Sequence, residues 1–192
     1  MRRLVAVAAV AGAAVALAGC TLVPTTKEPA TIPPRAVPLG LLGHTIPGTN
    51  NGHVVFITQP VYIVDATGHL SASSRIVPRP PTLLSVLREL VLGPTAIETE
   101  GGYTSALPAN LTILQAVIVH HMGYIELAQP FTGLHRHRVE MIMGQLTLTA
   151  FAVGATSGVK MFVNGTPLRV PRPSGPPVLI ATVRDYQSLL NA

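Results

Sequence analysis

Pro80-Pro81-Thr82-Leu83-Leu84-Ser85-Val86-Leu87-Arg88-Glu89-Leu90-Val91-Leu92-Gly93-Pro94 is the stretch that decides the fold class. Leu83, Val86, Leu87, Leu90 and Val91 recur at i, i+3, i+4, i+7 and i+8 on one helical face. Ser85, Arg88 and Glu89 take the other. The two prolines and Thr82 open the helix, and Gly93-Pro94 ends it: glycine reaches φ > 0 and proline cannot continue. Upstream, Val54–Ile57 and Val61–Val64 read as a strand broken or bulged at Pro60, which has no N–H to give to a ladder. Thr67-Gly68 supplies a turn, and Leu70 to Val77 returns as a weaker strand.

Downstream, Thr112 to Val119 and Tyr124 to Leu127 are strands joined by His120-His121-Met122-Gly123. Glu140 to Val153 is a second helix, with Ile142, Met143, Leu146, Ala150 and Val153 on its inner stripe. Met141, Leu148 and Phe151 lie elsewhere on the wheel, so the helix is either buried on two sides or exposes an apolar contact site. The surface expected from this is Met141, Leu148 and Phe151 with neighbouring Arg136 and Arg138. Val159 to Val163, the turn Asn164-Gly165 and Thr166 to Val170 make a last hairpin. Residues 171–192 then form a Pro-rich extension with a short helix from Thr182 to Leu190, where Thr182 and Asp185 fit an N-cap pair. The expected class is α+β: a small mixed or antiparallel sheet packed against two helices over residues 52–170.

Catalytic signatures are missing: no Gly-x-Ser-x-Gly elbow, no His-Glu-x-x-His and no phosphate-cradling glycine loop. Glu98 and Glu100 are the only close acidic pair, and they sit beside Gly101-Gly102, where flexibility opposes a fixed carboxylate separation. The chain is therefore read as non-enzymatic and without a cofactor. His120, His121, His135 and His137 are the one group that suggests a metal, and a metal- or small-ligand-binding role through them is the alternative reading. The third strand separates the two pairs by roughly 15 Å, against Zn–N bonds of about 2 Å. Solvated loop histidines beside Arg136 and Arg138 are the simpler account.

Three pieces in order carry a family resemblance. Leu92-Gly93-Pro94 ends the first helix. Thr104-Ser105-Ala106-Leu107-Pro108 precedes a strand and a hairpin ending in Ile125-Glu126-Leu127. Gln145-Leu146-Thr147-Leu148-Thr149 lies in a helix leading to Gly158-Val159-Lys160 and the Asn164-Gly165 turn. From Val54 to Val170 this resembles the GerMN domain of sporulation and spore germination proteins. His121-Met122-Gly123 departs from the Asp-Gly-type turn usual there. The resemblance implies a fold like the ring-building domains of envelope assemblies, an interaction role and no known catalysis. Val183-Arg184-Asp185-Tyr186 with Leu189-Leu190 is similar to the tails of actinobacterial lipoproteins carrying this domain.

At the N-terminus, Arg2 and Arg3 precede about fifteen apolar or small residues, Leu4 to Ala18. This is the grammar of a secretory signal, shorter than the ~20 residues of a membrane span. Leu17-Ala18-Gly19-Cys20 resembles the bacterial lipobox, which implies cleavage between Gly19 and Cys20 and a diacylated Cys20 that anchors the chain in the membrane. Two acyl chains suffice for stable anchoring where one does not. Residues 20–51, with six prolines among threonines and glycines, read as an extended linker. Removing residues 1–19 takes Lys plus Arg from 13 to 11 against 8 acidic residues, lowering the net charge from +5 to +3. That mild charge is insufficient to argue for nucleic acid, which export also argues against, and the interaction role that the resemblance implies makes an envelope protein or wall component the expected partner. Arginine outnumbers lysine 11 to 2, the usage of a high-GC bacterium. Cys20→Ser is expected to leave an unprocessed precursor that takes up no labelled palmitate; normal maturation and labelling of that variant would refute the anchor.

Overall fold

β1 (Phe56–Val64) and β2 (Leu70–Pro78) form an antiparallel hairpin, registered from Phe56–Pro78 to Val64–Leu70. The computed structural model describes residues 54–190, so Gly19, Cys20 and the expected signal and linker lie outside the described residues. Arg79 N–H donates to Val55 C=O and Asp65 N–H to His69 C=O, both at 2.8 Å, at the two ends of the ladder. The odd residues of β1 therefore face β2 with their hydrogen bonds, and the even ones face away. Pro60 is even, so the N–H it lacks was never owed to β2. The strand runs through it without a bulge, which corrects the expected break.

The outward edge of β1 is satisfied by the longest helix. α3 (Arg136–Val153) begins four residues earlier than its apolar pattern suggested. Its Thr149 Oγ1 accepts from Tyr62 N–H (3.0 Å), and its Gln145 Nε2 donates to Tyr62 C=O (2.9 Å). Gln145 Oε1 accepts from Ala106 N–H (2.9 Å), tying a third segment to the same amide. Val64 and Thr104 exchange backbone bonds one step further along. Gln145 and Thr149 are wholly buried, so each bond is made where water cannot substitute.

α1 (Leu83–Val91) follows the amphipathic reading. Thr82 Oγ1 accepts from Ser85 N–H and Ser85 Oγ from Thr82 N–H, both at 3.1 Å, a reciprocal cap. Leu83, Val86, Leu87 and Leu90 are buried against the hairpin, α3 and the strand Ile113–Val119. Each such side chain contributes about 1.5–3 kcal/mol. A short α2 (Ala96–Glu100), not expected from the sequence, follows.

The other strands form a separate four-stranded sheet, so the α+β class holds with its strands divided between two sheets. Its order is β3 (Ile113–Val119), β4 (Met122–Leu127), β5 (Gly158–Val163) and β6 (Thr166–Pro167). β4 and β5 are parallel and the other pairs antiparallel. A parallel pair needs a crossover, and α3 is that crossover. The last hairpin is shorter than expected, with β6 only two residues long.

Residues beyond 170 pack into the same unit instead of extending from it. Ala181 exchanges backbone bonds with Val159 at 2.8 and 2.9 Å, and Val170 does so with Val178. The expected terminal helix is a 3-10 helix, Val183–Leu189, capped by Thr182 and Asp185. It lies on α3, with Tyr186 fully buried and its hydroxyl donating to Pro171 C=O (2.9 Å). Burial pushes that phenol well above its usual pKa. Gly144 makes room: a Cβ there would stand 2.7 Å from Leu70 Cδ1, 3.3 Å from Leu189 Cδ1 and 3.4 Å from Tyr186 Cδ1. Gln145→Leu is expected to cost about 3 kcal/mol, because Ala106 N–H and Tyr62 C=O would lose their buried partner. Gln129→Leu, whose amide is exposed, should stay within about 0.5 kcal/mol. Urea denaturation of both variants measures the difference.

Candidate interaction surface

In the four-stranded sheet, alternate residues point to opposite faces. Ala116, Ile125, Leu127, Val159 and Met161 point inward and are buried, under α1 on the β3 side and α3 on the β5 side. Among the described residues no helix lies on the opposite face, though Ile180 packs over its Gly158 end, and the register arranges it in three rows. They run Val119–Met122–Gly158, Val117–Tyr124–Lys160 and Gln115–Glu126–Phe162. Val117 and Val119 are 39% and 46% exposed, high for valines in the middle and at the end of a strand. Tyr124 and Phe162 stack with centroids 6.3 Å apart and planes at 22°, and Lys160 Nζ lies 6.0 Å from the Tyr124 ring centre. Gln115, Val117, Tyr124, Glu126 and Phe162 border a shallow depression of about 260 Å³. Glu126 Oε1 accepts from Gly165 N–H (2.9 Å), which fixes the Asn164-Gly165 turn to the rim. Aromatic rings and valines framed by one cation, one carboxylate and one amide make the mixed apolar and polar texture of a docking surface.

The face expected from the second helix is not available. Met141 is 5% and Leu148 2% exposed, and Phe151 is partly buried against the core. The whole stretch Glu140–Ala150 is buried, because α3 packs on β1 on one side and on β5 and the 3-10 helix on another. Two-sided burial, and not an exposed patch, explains its missing polar face. Arg136 and Arg138 belong to the first turn of α3 instead of a loop. Arg136 Nε donates to Glu140 Oε1 (2.7 Å), and Arg138 Nε to Ala106 C=O (3.0 Å).

The histidines do not gather either. His120 and His121 are the two central residues of a two-residue turn, with φ of 48° and 62°, and β4 starts directly at Met122. His135 is the N-cap of α3 and His137 lies in its first turn, beyond the other end of β4. Among the described residues no group of three or more His, Cys, Asp or Glu is placed to hold a metal ion. The two histidine pairs therefore stand at opposite ends of β4 and are not brought to one point. Also among the described residues, no helix is long and apolar enough to cross a membrane.

A mixed sheet with one face under α1 and α3, beside a hairpin sealed to α3, defines a small α+β domain. The chain belongs to the Germane family, described as sporulation and spore germination, whose model matches residues 60–169. Its fold is similar to the first GerMN domain of the sporulation protein GerM from Bacillus subtilis. That match has 19% identity and a TM-score of 0.52, covering 67% of this chain and 99% of that one. The tandem GerMN domains of the same protein match at 19% identity, over 65% of this chain and 45% of that one, with a TM-score of 0.49. No curated protein matches the chain.

Glu98 is not a free acid. Thr95 and Glu98 cap α2 reciprocally, and Arg75 grips the carboxylate with Nη1 to Oε1 (2.9 Å) and Nη2 to Oε2 (2.8 Å). The Ser73 hydroxyl also donates to Oε1, and Arg75 Nη2 reaches Gly93 C=O (3.1 Å). Arg75 is 7% and Glu98 16% exposed, so this buried pair pins the α1–α2 connection to β2. The strand alternation carries the signal: Arg75 shares a face with Val77, and an inward cation demands an acid. The hydrogen bonds from Arg75 outweigh burial and bring the Glu98 pKa from 4.5 to about 2. A folded pKa below the unfolded one stabilises above about pH 4.5, and the contribution fades as pH falls toward 2. Asp185 adds to the same trend: burial opposes its ionisation, but hydrogen bonds from Arg172 and Thr182 lower its pKa overall. Glu98→Gln is expected to lose stability at pH 7, and its gap to the parent should close between pH 4.5 and 2 in urea titrations.

Proposed function

We propose that this chain is a non-enzymatic cell-envelope protein, tethered to the outer side of the cytoplasmic membrane by a diacylated Cys20. Its Germane domain docks another envelope protein on the open sheet face. The observation that carries the reading is a sheet face that no described helix covers, with Val117 and Val119 exposed and Met122, Tyr124 and Phe162 partly so. A sheet face of this composition is costly to leave in water without a partner. The lipobox-like Leu17-Ala18-Gly19-Cys20 supports the anchor, and the proline-rich residues 20–51 give it reach. The one acidic pair singled out for chemistry is consumed by structure, since Glu98 is committed to Arg75.

A photo-crosslinker at Val117 in intact cells tests this directly. One dominant envelope protein should be captured, and Phe162→Asp should abolish the capture while the thermal unfolding of the domain stays cooperative. An identical crosslinking pattern with and without Phe162→Asp would refute the sheet face as the docking surface.

A further inference from the structure

At the edge where the 3-10 helix meets the start of α3 stand three arginines, Arg136, Arg172 and Arg184, two of them with counter-ions beneath them. Arg172 Nη1 donates to Asp185 Oδ1 (2.7 Å) and its Nε to Pro176 C=O (2.9 Å). Asp185 is 10% exposed, and its other oxygen is taken by the Thr182 N–H and hydroxyl, both at 2.8 Å. Arg136 is held by Glu140, which is 9% exposed, and its Nη2 reaches Arg172 C=O (3.4 Å). Both carboxylates therefore sit inside, and the guanidiniums stand outside them with N–H groups to spare. Arg184 is exposed and makes no hydrogen bond or ion pair among the described residues.

Arg172 and Arg184 line a depression of about 550 Å³ together with Ser174, Asp185, Gln187 and Ser188. The loop beside it is built around a guanidinium. Gly175, at φ 89°, passes so close that a Cβ would fall 2.9 Å from Arg172 Nη2 and 3.3 Å from Cζ. The buried aspartate, the Pro176 carbonyl and this glycine thus fix Arg172 in one place before any ligand arrives. The start of α3 adds to the same field. Its N-cap His135 makes no side-chain cap bond, and its first turn holds arginines and no acid, at the end of the helix dipole that favours anions.

The geometry points to a binding site for a phosphate group between Arg172 and Arg184, with Arg136 at its rim. Forked guanidinium donors suit an oxyanion, and the surrounding hydroxyls and amide offer donors from further directions. That arrangement fits the three or four oxygens of a phosphate better than the two of a carboxylate. Phosphate groups of this kind come from phospholipid headgroups or from phosphodiester-linked polymers. The site lies apart from the open sheet face and does not depend on it.

Calorimetric titration of the full chain in neutral detergent tests the assignment with three probes. They are inorganic phosphate, dihexanoylphosphatidylglycerol and a glycerol phosphate oligomer. Saturable binding of inorganic phosphate is expected, weakened roughly tenfold by Arg184→Gln, which removes a charged donor from an exposed position. Gly175→Ala should weaken it several-fold while keeping every charge, and this variant stands in should Arg172→Gln unfold. The lipid binding better than the oligomer would assign the source to headgroups, and the reverse to a polymer; both support the site. No saturable binding of any probe, or equal weakening by the remote Arg88→Gln, would overturn it.

Discussion

The side-chain amide of Gln145 joins three parts of the chain that are far apart in sequence. Its nitrogen binds the β1 edge at Tyr62, its oxygen binds the segment before β3 at Ala106, and its helix is the crossover between β4 and β5. Without it Tyr62 C=O and Ala106 N–H would be left without this partner in the interior. Exposed edges invite pairing with other chains, and buried ones leave polar groups unsatisfied. The helix meets both needs with a two-atom side-chain group and a neighbouring threonine. The division into two sheets follows from this. A helix closes the β1 edge where another strand would have extended the sheet.

The same commitment leaves one surface uncovered. α3 is already occupied by β1, β5, α1 and the 3-10 helix, and α1 lies on the hairpin and β3. Among the described residues no helix is left for the outer face of the four-stranded sheet, where Val117 is exposed and Tyr124 and Phe162 are partly so. Two layers over a small sheet bury one face well, and the other is left to carry whatever the domain recognises.

Local signals carried most of the elements. Both long helices, the first hairpin and the Asn164-Gly165 turn follow from periodicity and turn chemistry. Pro60 misled because which edge its nitrogen faces depends on strand register, and register is a property of two strands. Met141 and Leu148 misled for a related reason. An apolar stripe tells that a helix is covered, not by how many neighbours. The parallel β4–β5 pairing and the Glu98–Arg75 pair were hidden by separation: residues 23 apart in sequence have no local sign of meeting. The open face was legible in part, since β3 carries apolar residues at both parities, but only the sheet order shows which parity the helices cover.

Gly144 sits in the middle of α3 facing Leu70, Tyr186 and Leu189, with no room for a methyl group. Leu70 stands at the start of β2, and the two others stand in the last turns of the chain. These positions therefore form one mutational unit. An alanine at 144 is compatible with the fold only if Leu70 becomes smaller or turns aside, and a smaller residue at 70 opens a hole beside Tyr186. Substitutions at 70, 144, 186 and 189 are therefore non-additive, the cost of each being set by the side chains that stand at the others.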